Sequence, residues 1–322
     1  MKYMSRNKKI ASIAGIILAI ITIAIFAFQF QFSAPQKGAE EERVVVNLIT
    51  TEAKLIPKLK EQGYIRSEWA FNFVLKRKDW QGKIEPGGYN VSKGMNAWQL
   101  ADILVNHPSQ KWVVIPEGLR KEEIAEKLQK TLGWTNTVKA EFLLNSKEGY
   151  LFPDTYLINL DYTGEDVVKR MESQFNEKTV DLFKEAKEKN IRNDTLIVLA
   201  SLVQREAANV NEMPLIAGVI WNRWLKDMKF EIDATIQYVL GEPGNWWPII
   251  KPGDYKFDSS YNTYLRKGRP PAPICNPGLT AINAVINSEE TEYLYYLHDS
   301  KGQIHLAKTY EEHLENIEKY LK

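Results

Sequence analysis

Residues 193–210 read NDTLIVLASLVQREAANV, a stretch whose apolar side chains recur at helical spacing. Asn193 or Asp194 is predicted to cap the start of this helix, because both side chains can accept a hydrogen bond from the first turn. Glu206 follows apolar residues three, four and seven positions earlier, so it continues the buried face. The segment is therefore predicted as a buried helix that carries one carboxyl group near its end.

The carboxyl group of Glu206 has two possible roles. On an apolar helix face it loses hydration, which raises its pKa and keeps it protonated near neutral pH, as a general acid requires. Alternatively, the helix ends here and Glu206 reaches water or pairs with a cation such as Arg223. Periodicity alone does not separate these possibilities.

A second unusual stretch, residues 246–278, combines a WWP motif with several tyrosines, asparagines and prolines. Aromatic rings beside amide, carboxyl and hydroxyl groups are typical of a sugar-binding groove, because sugar rings stack on apolar surfaces and their hydroxyl groups need partners. A rigid linker or structural cap has a similar composition. Trp246 and Trp247 could also be core residues.

The N-terminus predicts the compartment. Residues 10–28 contain no charge and as a helix would span about 28 Å, close to the hydrocarbon thickness of a bilayer. The preceding residues contain no acid and four cations, which are Lys2, Arg6, Lys8 and Lys9. The pattern predicts a cytoplasmic tail over 1–9, a single transmembrane anchor over 10–32 in the plasma (inner) membrane, and the rest of the chain on the outer or periplasmic side. The alternative is a cleaved signal peptide, but its apolar core is usually only roughly 7–15 residues long.

Composition excludes several classes of protein. The chain has 322 residues, 44% of them hydrophobic and 26% charged, which is typical of folded domains and too polar for several membrane spans. Its net charge is +1, and the part after the four N-terminal cations has 38 basic against 41 acidic residues. This balance argues against binding nucleic acid or capture by anionic lipid. The single cysteine, Cys275, cannot form an intrachain disulfide.

The part after the anchor divides into two regions. Residues 33–43 are polar and are predicted as a tether. The first region then shows a strand, two helices, a second strand, a further helix and a third strand, which are predicted over 44–49, 52–62, 67–78, 84–91, 95–104 and 112–118. This order predicts a small α+β module, either a spacer or a carbohydrate-binding module.

The second region is more helical and lacks the common catalytic motifs. Residues 122–132 and 164–189 are predicted as amphipathic helices, and 293–308 as a β-hairpin followed by a helix. There is no GxSxG, HExxH or P-loop motif. The three histidines of the hairpin region lack a tight ligand spacing, so we expect no metal site. No base is placed beside Ser201 or Cys275, which argues against nucleophilic catalysis.

Seven segments resemble the YceG-like (MltG) family of endolytic murein transglycosylases. In chain order they are EGYLFPDTY (148–156), ASLVQRE (200–206), VIWNRW (219–224), IDATIQY (232–238), SYNTYLRKGRPPAPICNPG (260–278), AINAVINS (281–288) and IHLAKTYEEH (304–313). Their order and spacing together are highly specific. The resemblance implies an α+β fold with a small LysM-like module over 44–116 and a mostly helical α+β catalytic domain over 117–322.

The resemblance also implies the catalytic residue. Glu206 matches the last residue of the family's ASIVEKE-type motif, and the earlier glutamate of that motif is Gln204 here, which leaves Glu206 alone for the acid/base task. The family's LQxDPT is EIDAT in this chain, which keeps Asp233 and Thr235 but loses the glutamine and the proline. We expect six residues to bind the sugars or stabilise the positive ring, namely Asn222, Asp233, Tyr261, Asn262, Tyr264 and Asn276.

The implied reaction is lytic cleavage of the MurNAc–GlcNAc bond of peptidoglycan glycan strands, with 1,6-anhydro-MurNAc ends as products and no cofactor. The family resemblance suggests that the enzyme ends nascent strands beside peptidoglycan synthases. Two alternatives remain, a hydrolase that uses Asp233 as a second carboxylate and a non-catalytic, membrane-tethered scaffold that binds peptidoglycan.

Overall fold

The computed structural model describes the backbone of residues 2–322 and the side chains of residues 10–322. Helix α1 (Lys2–Phe32) contains an apolar span, Ile10–Phe32, that is long and apolar enough to cross a membrane. A helix is therefore confirmed in the predicted anchor. The side chains of the predicted tail, residues 1–9, lie outside the described residues.

The chain forms two compact units. The first contains residues up to Trp112 together with Leu157–Asp161, and the second contains Val113–Tyr156 and Tyr162–Lys322. The fold is mixed α+β with an apolar N-terminal helix and a mostly helical second unit, as the sequence predicts.

The first unit has the predicted strand–helix–helix–strand order. Its elements are β1 (Glu41–Val46), α2 (Glu52–Glu61), α3 (Glu68–Arg77), β2 (Gly87–Ser92), α4 (Ala97–Asn106) and most of β3 (Gln110–Val114). β1 and β2 are antiparallel, with Glu41 opposite Ser92 and Val46 opposite Gly87. With β4 (Thr155–Asn159) they form a sheet in the order β1-β2-β3-β4. The first strand begins three residues earlier than predicted, because the acidic residues before the valines also pair with β2.

Local capping explains where the helices of this unit begin. The Ser67 hydroxyl accepts a hydrogen bond from the backbone of Ala70 at the start of α3. At the start of α4, Asn96 and Gln99 bond each other's backbone in a capping box. Each helix then buries one apolar face in the core of the unit, whose fully buried members include Leu59 and Phe71.

The second unit contains eight α-helices, a short 3-10 helix at Asp254–Lys256 and one hairpin within the described residues. The α-helices and the hairpin strands are α5 (Lys121–Leu132), α6 (Asn136–Asn145), α7 (Gly164–Glu188), α8 (Asn193–Glu206), α9 (Met213–Leu225), α10 (Asp233–Leu240), α11 (Leu279–Ile286), β5 (Tyr295–His298), β6 (Ile304–Ala307) and α12 (Tyr310–Tyr320). β5 and β6 pair antiparallel, which confirms the predicted hairpin.

Helix α8 is the central helix of this unit, and every residue from Thr195 to Val203 is buried. Two details differ from the prediction. Arg192 occupies the N-cap position, and its side chain makes no cap hydrogen bond. Asp194, one of the predicted caps, instead accepts hydrogen bonds from the side chains of Arg192 and Arg269. The helix also ends at Glu206, four residues before the predicted end.

Candidate active site

A cavity of about 350 Å³ lies in the second unit at the C-terminal end of α8. This volume is within the range of small-molecule sites, roughly 300–1,000 Å³. Three acids, one arginine, two histidines and four tyrosines contribute to its lining, together with Phe230 and Leu297. The charged and polar side chains are Glu206, Glu231, Asp233, Arg223, His298, His313, Tyr264, Tyr295, Tyr296 and Tyr310.

Glu206 is held by a single hydrogen bond. The hydroxyl group of Tyr296 donates to its Oε2 atom at 2.6 Å. Its other oxygen, Oε1, accepts no hydrogen bond from residues 10–322, and the side chain lines the cavity. The carboxyl group is therefore fixed through one oxygen, and the other is available to exchange a proton with a molecule in the cavity.

The surroundings of Glu206 raise its pKa. Burial is the largest cause, and the hydrogen bond from Tyr296 opposes it by favouring the charged form. The nearby carboxylate of Asp233 raises the pKa further. Burial and Glu206 raise the pKa of Tyr296 well above its ordinary value, so its hydroxyl stays protonated and donates. The net effect is a Glu206 pKa above that of an ordinary glutamate, which favours the protonated form.

The alternative predicted for Glu206 is correct in part. The helix does end at this residue, and the side chain is partly exposed at the cavity, but Arg223 bonds other partners and not Glu206. The guanidinium group of Arg223 is buried and donates to the backbone carbonyls of Leu294 and Phe230 and, at 3.4 Å, to Glu231 Oε2. It therefore joins the strand that carries Tyr296 to the segment that leads into α10.

Asp233 forms the second acidic part of the cavity. It is the first residue of α10, and the hydroxyl group of Tyr264 donates to its Oδ1 at 2.7 Å. Burial, together with this hydrogen bond and the charge of Asp233, raises the pKa of Tyr264. The phenol therefore stays protonated and holds the Asp233 carboxylate in place at the cavity wall.

The backbone at Glu231 is strained. Its φ angle is +54°, in the left-handed region that residues with a Cβ atom rarely adopt. The backbone N–H of Glu231 donates to Thr263, and Arg223 contacts its carboxylate. Such strain persists only where surrounding contacts impose it, and here it places a third carboxylate on the cavity.

The sequence profile of the YceG-like family matches residues 44–319, most of the chain. This protein belongs to the YceG-like family. The match confirms the resemblance inferred from the seven segments.

Named relatives agree with this assignment. A Bacillus subtilis protein named endolytic murein transglycosylase is 30% identical over 292 residues, which cover 82% of this chain and 80% of that protein. A Streptococcus pneumoniae protein of the same name is 27% identical over 305 residues, but the match spans only 55% of its length. The crystal structure of a yceG-like protein from Listeria monocytogenes is similar with a TM-score of 0.59 and 25% identity, covering 86% of this chain and 99% of that chain.

Two of the six predicted binding residues of this YceG-like protein, Asp233 and Tyr264, line the cavity. The other four do not. The side-chain amides of Asn222, Asn262 and Asn276 donate to backbone carbonyls of neighbouring segments, and Asn276 also bonds a buried glutamate. Tyr261 is partly buried and packs on the ring of Tyr238 at the edge of the hydrophobic core. In this structure these four residues hold loops, because their polar atoms or rings are already engaged within the fold.

Tyr296 is a cavity residue that motif reasoning missed, and His298 is one of the hairpin-region histidines for which the sequence favours a structural or substrate-contacting role. Both belong to the predicted hairpin, and they are two positions apart on β5, so their side chains point to the same face. His298 Nε2 lies 3.0 Å from Glu212 Oε2. Strand alternation could have paired them, but nothing in the local sequence indicates that this face meets Glu206.

The other two hairpin-region histidines are also engaged separately. His305 Nε2 lies 3.2 Å from Asp299 Oδ2, and the His305 ring stacks on Tyr320. The His313 ring stacks on Tyr295 at the cavity. Among residues 10–322, no group of three His, Cys, Asp or Glu side chains is placed to hold a metal ion.

The two tryptophans of the WWP motif are half-buried beside a separate, shallow groove. Their indole N–H groups donate to Glu126 and Glu123 at 3.1 and 2.9 Å. A guanidinium group lies over each ring, 4.8 Å from Trp246 and 3.8 Å from Trp247. These contacts stabilise the loop.

Proposed function

We propose that this protein is an endolytic lytic transglycosylase that cleaves the β-1,4 bond between MurNAc and GlcNAc in peptidoglycan strands and leaves 1,6-anhydro-MurNAc ends. The observation that carries the proposal is Glu206, which lines a cavity and has a carboxyl group with a raised pKa and one unbonded oxygen. The names of the Bacillus and Streptococcus relatives support the same activity.

The first step is bond cleavage with general acid catalysis. The proton on Oε1 of Glu206 passes to the glycosidic oxygen, the C1–O bond breaks, and the GlcNAc side leaves as an alcohol. Positive charge develops on the muramoyl ring while Glu206 becomes a carboxylate. The hydrogen bond from Tyr296 to Oε2 stabilises that carboxylate as it forms.

The second step closes the ring. The carboxylate of Glu206 takes the proton from the muramoyl C6 hydroxyl group, whose oxygen attacks C1 and forms the 1,6-anhydro bond. Glu206 regains its proton, and no water is consumed. Because the nucleophile belongs to the same sugar, correct orientation supplies much of the rate.

Asp233 has a supporting role in this mechanism. Its carboxylate, held by Tyr264, lies on the cavity that contains Glu206 and is suited to stabilise the positive ring electrostatically. It also raises the pKa of Glu206, which favours the protonated starting state. The same position would suit the base of a hydrolase, so the products distinguish the two reactions.

The proposal includes the setting of the reaction. α1 would span the plasma membrane once with residues 1–9 in the cytoplasm, and both units would lie on the outer side, where glycan strands are found. The antiparallel β1-α2-α3-β2 arrangement suits a LysM-like module over 44–116, followed by the catalytic domain over 117–322. Peptidoglycan synthases are the proposed partners, since an anchored lyase beside them could end the strands they extend.

Mass spectrometry of products from uncrosslinked glycan strands tests the activity. Full-length protein, Glu206→Gln and Asp233→Asn are each incubated with the strands. Anhydro-MurNAc ends that form with the wild type and disappear with Glu206→Gln are the expected result.

Two outcomes would contradict the proposal. Ordinary reducing ends, with equal dependence on Glu206 and Asp233, would identify a two-carboxylate hydrolase. Glycan that binds to the membrane-reconstituted protein but is cleaved by none of the three forms, with or without a synthase, would identify a scaffold.

A further inference from the structure

The C-terminal end of α1 packs on the first unit through aromatic rings. The ring of Trp69 on α3 lies 5.6 Å from that of Phe28 and 6.0 Å from that of Phe32. The ring of Phe73, one turn further along α3, lies 5.7 Å from Phe32. Phe32 itself is a buried member of the unit's core. The ring of Trp69 therefore lies at the level of the last turn of α1.

The chain just after α1 is also fixed to the first unit. The guanidinium group of Arg66 donates to Ser33 Oγ and to the carbonyl oxygens of Ala34 and Pro35. The same group lies 4.2 Å from the centre of the Phe30 ring. The segment predicted as a tether thus begins with residues that are bonded to the unit, so the position of α1 determines the position of α3.

Three of these aromatic side chains remain partly open. Trp69, Phe73 and Phe28 expose 55%, 39% and 49% of their surfaces. We call these three side chains the aromatic face. The opposite side of α3 is buried in the core, and the exposed side continues beyond Phe73 to the cations Lys76 and Arg77. Aromatic residues followed by cations on one helix face are typical of helices that lie in a membrane interface.

The length of α1 places the aromatic face relative to a bilayer. The apolar span has 23 residues, which measure about 34 Å along a helix, against roughly 30 Å of hydrocarbon. If the span begins at the inner hydrocarbon boundary, the outer boundary falls within its last turns, between Phe28 and Phe32. Trp69 contacts both of these rings. Tryptophan is enriched at this boundary because its ring is apolar and its N–H group is polar.

We propose that the aromatic face is embedded in the interfacial layer of the outer leaflet and holds the first unit directly on the membrane surface. This inference rests on the membrane-anchored part of the proposed function and not on the reaction. The bound partner is the lipid surface itself, contacted by aromatic rings with Lys76 and Arg77 near the headgroups. The nearly balanced charge of the chain after its four N-terminal cations is compatible with membrane contact, since burial of the aromatic rings rather than net charge supplies the attraction.

Depth measurements on full-length protein test the proposal. Variants that each add one cysteine, Trp69→Cys, Phe73→Cys, Ile20→Cys and Leu144→Cys, carry a nitroxide label at that position in vesicles of phosphatidylcholine and phosphatidylglycerol. The native Cys275 is fully buried and has a raised thiol pKa, so it reacts slowly with the label. Oxygen collides with labels in lipid, and a nickel chelate collides with labels in water. We expect oxygen-to-nickel ratios at 69 and 73 several-fold above that at exposed Leu144 and below that at Ile20.

The outcomes separate the inference from its basis. If the label at position 20 lies in lipid while the labels at positions 69 and 73 are as exposed to water as the label at position 144, the inference is overturned and the anchor stands. Ile20 in water would reject the anchor and the inference together. Cleavage of glycan strands by the same vesicles tests the reaction independently.

The cysteine variants remove the aromatic ring at the labelled position, and a second measurement keeps a ring there. Tryptophan fluorescence of the otherwise native protein is quenched by lipids brominated near the headgroup end of their chains. Trp69→Phe is expected to remove a measurable part of this quenching. The matched control, Trp80→Phe, changes a half-buried tryptophan of the same unit and should leave the quenching unchanged. Equal quenching in all three forms would contradict the proposal.

Discussion

Two carboxyl groups in the second unit, Glu206 and Glu148, share one property and differ in another. Burial raises the pKa of both, that of Glu148 to about 8. Both oxygens of Glu148 are occupied: the backbone N–H of Lys121 donates to both of them, and the side-chain amide of Asn276 donates to Oε1 at 2.7 Å. Glu206 has one bonded oxygen, and its side chain lines the cavity.

The difference shows what burial can and cannot do for an acid. Desolvation is the largest cause of the raised pKa of both carboxyl groups and favours their protonated forms. Only access to a cavity allows that proton to reach a substrate. Glu148 belongs to the EGYLFPDTY segment, so part of the family pattern reflects a buried bonding network that joins Lys121 and Asn276.

Exchanging each glutamate for glutamine is the strongest test of this comparison. Glu206→Gln is expected to slow glycan cleavage by roughly 10²–10⁴-fold, because it removes the transferable proton. Glu148→Gln keeps the buried shape and should retain the cleavage rate within about threefold, since it does not touch the cavity. Initial rates and melting temperatures of both variants provide the check. Equal rate losses in two folded variants would remove the distinction.

The pH dependence of stability provides the next largest effect. The native pKa of Glu148, about 8, lies above its unfolded value of 4.5. Between these values the native state keeps a proton that the unfolded state releases, so the free energy of unfolding falls as pH rises. The expected fall across this window is about 5 kcal/mol.

Urea unfolding at several pH values measures this fall. Glu148→Gln has no proton to release at this position, so its stability should change less with pH than that of the wild type. Glu206→Gln is a useful comparison, since its carboxyl pKa is shifted in the same direction. Parallel stability curves for wild type and Glu148→Gln would show that the buried network does not hold the proton.

Tyr296→Phe tests how Glu206 is held. Loss of a hydrogen bond to a charged group costs about 1.5–3 kcal/mol, so cleavage should slow by roughly 10–100-fold. The bond lowers the pKa of Glu206, and its loss should therefore move the basic limb of the kcat/KM profile to higher pH. Tyr293→Phe is the matched control, since Tyr293 does not line the cavity. A slower enzyme with an unmoved profile would indicate a structural role only.

Asp233→Asn should produce the smallest effect and the opposite pH shift. The charge of Asp233 raises the pKa of Glu206, so its removal should move the basic limb to lower pH. Loss of electrostatic support for the positive ring should slow cleavage by about tenfold. Anhydro ends should remain the product. A shift to higher pH would contradict the proposed arrangement of the two carboxylates.

Much of the fold follows from local sequence patterns. Apolar spacing predicts α8, polarity and length predict α1, and strand patterns separated by DSKG predict the hairpin. The details that fail are those in which distant residues compete. Asp194 could cap α8, yet it bonds Arg269, which lies 75 positions later. Propensity describes what a side chain can do locally, and the tertiary fold decides which partner it meets.

The same limit applies to the site. The family and the candidate Glu206 follow from sequence patterns, and two of the six predicted binding residues, Asp233 and Tyr264, line the cavity. Only the tertiary structure brought Tyr296 to Glu206 across 90 positions and turned three asparagines toward backbone carbonyls. Helical periodicity shows which side chains a helix buries, because neighbours on its face lie three or four residues apart. It contains no information on which distant strand packs against that face, and in this protein that strand supplies the partner of the acid.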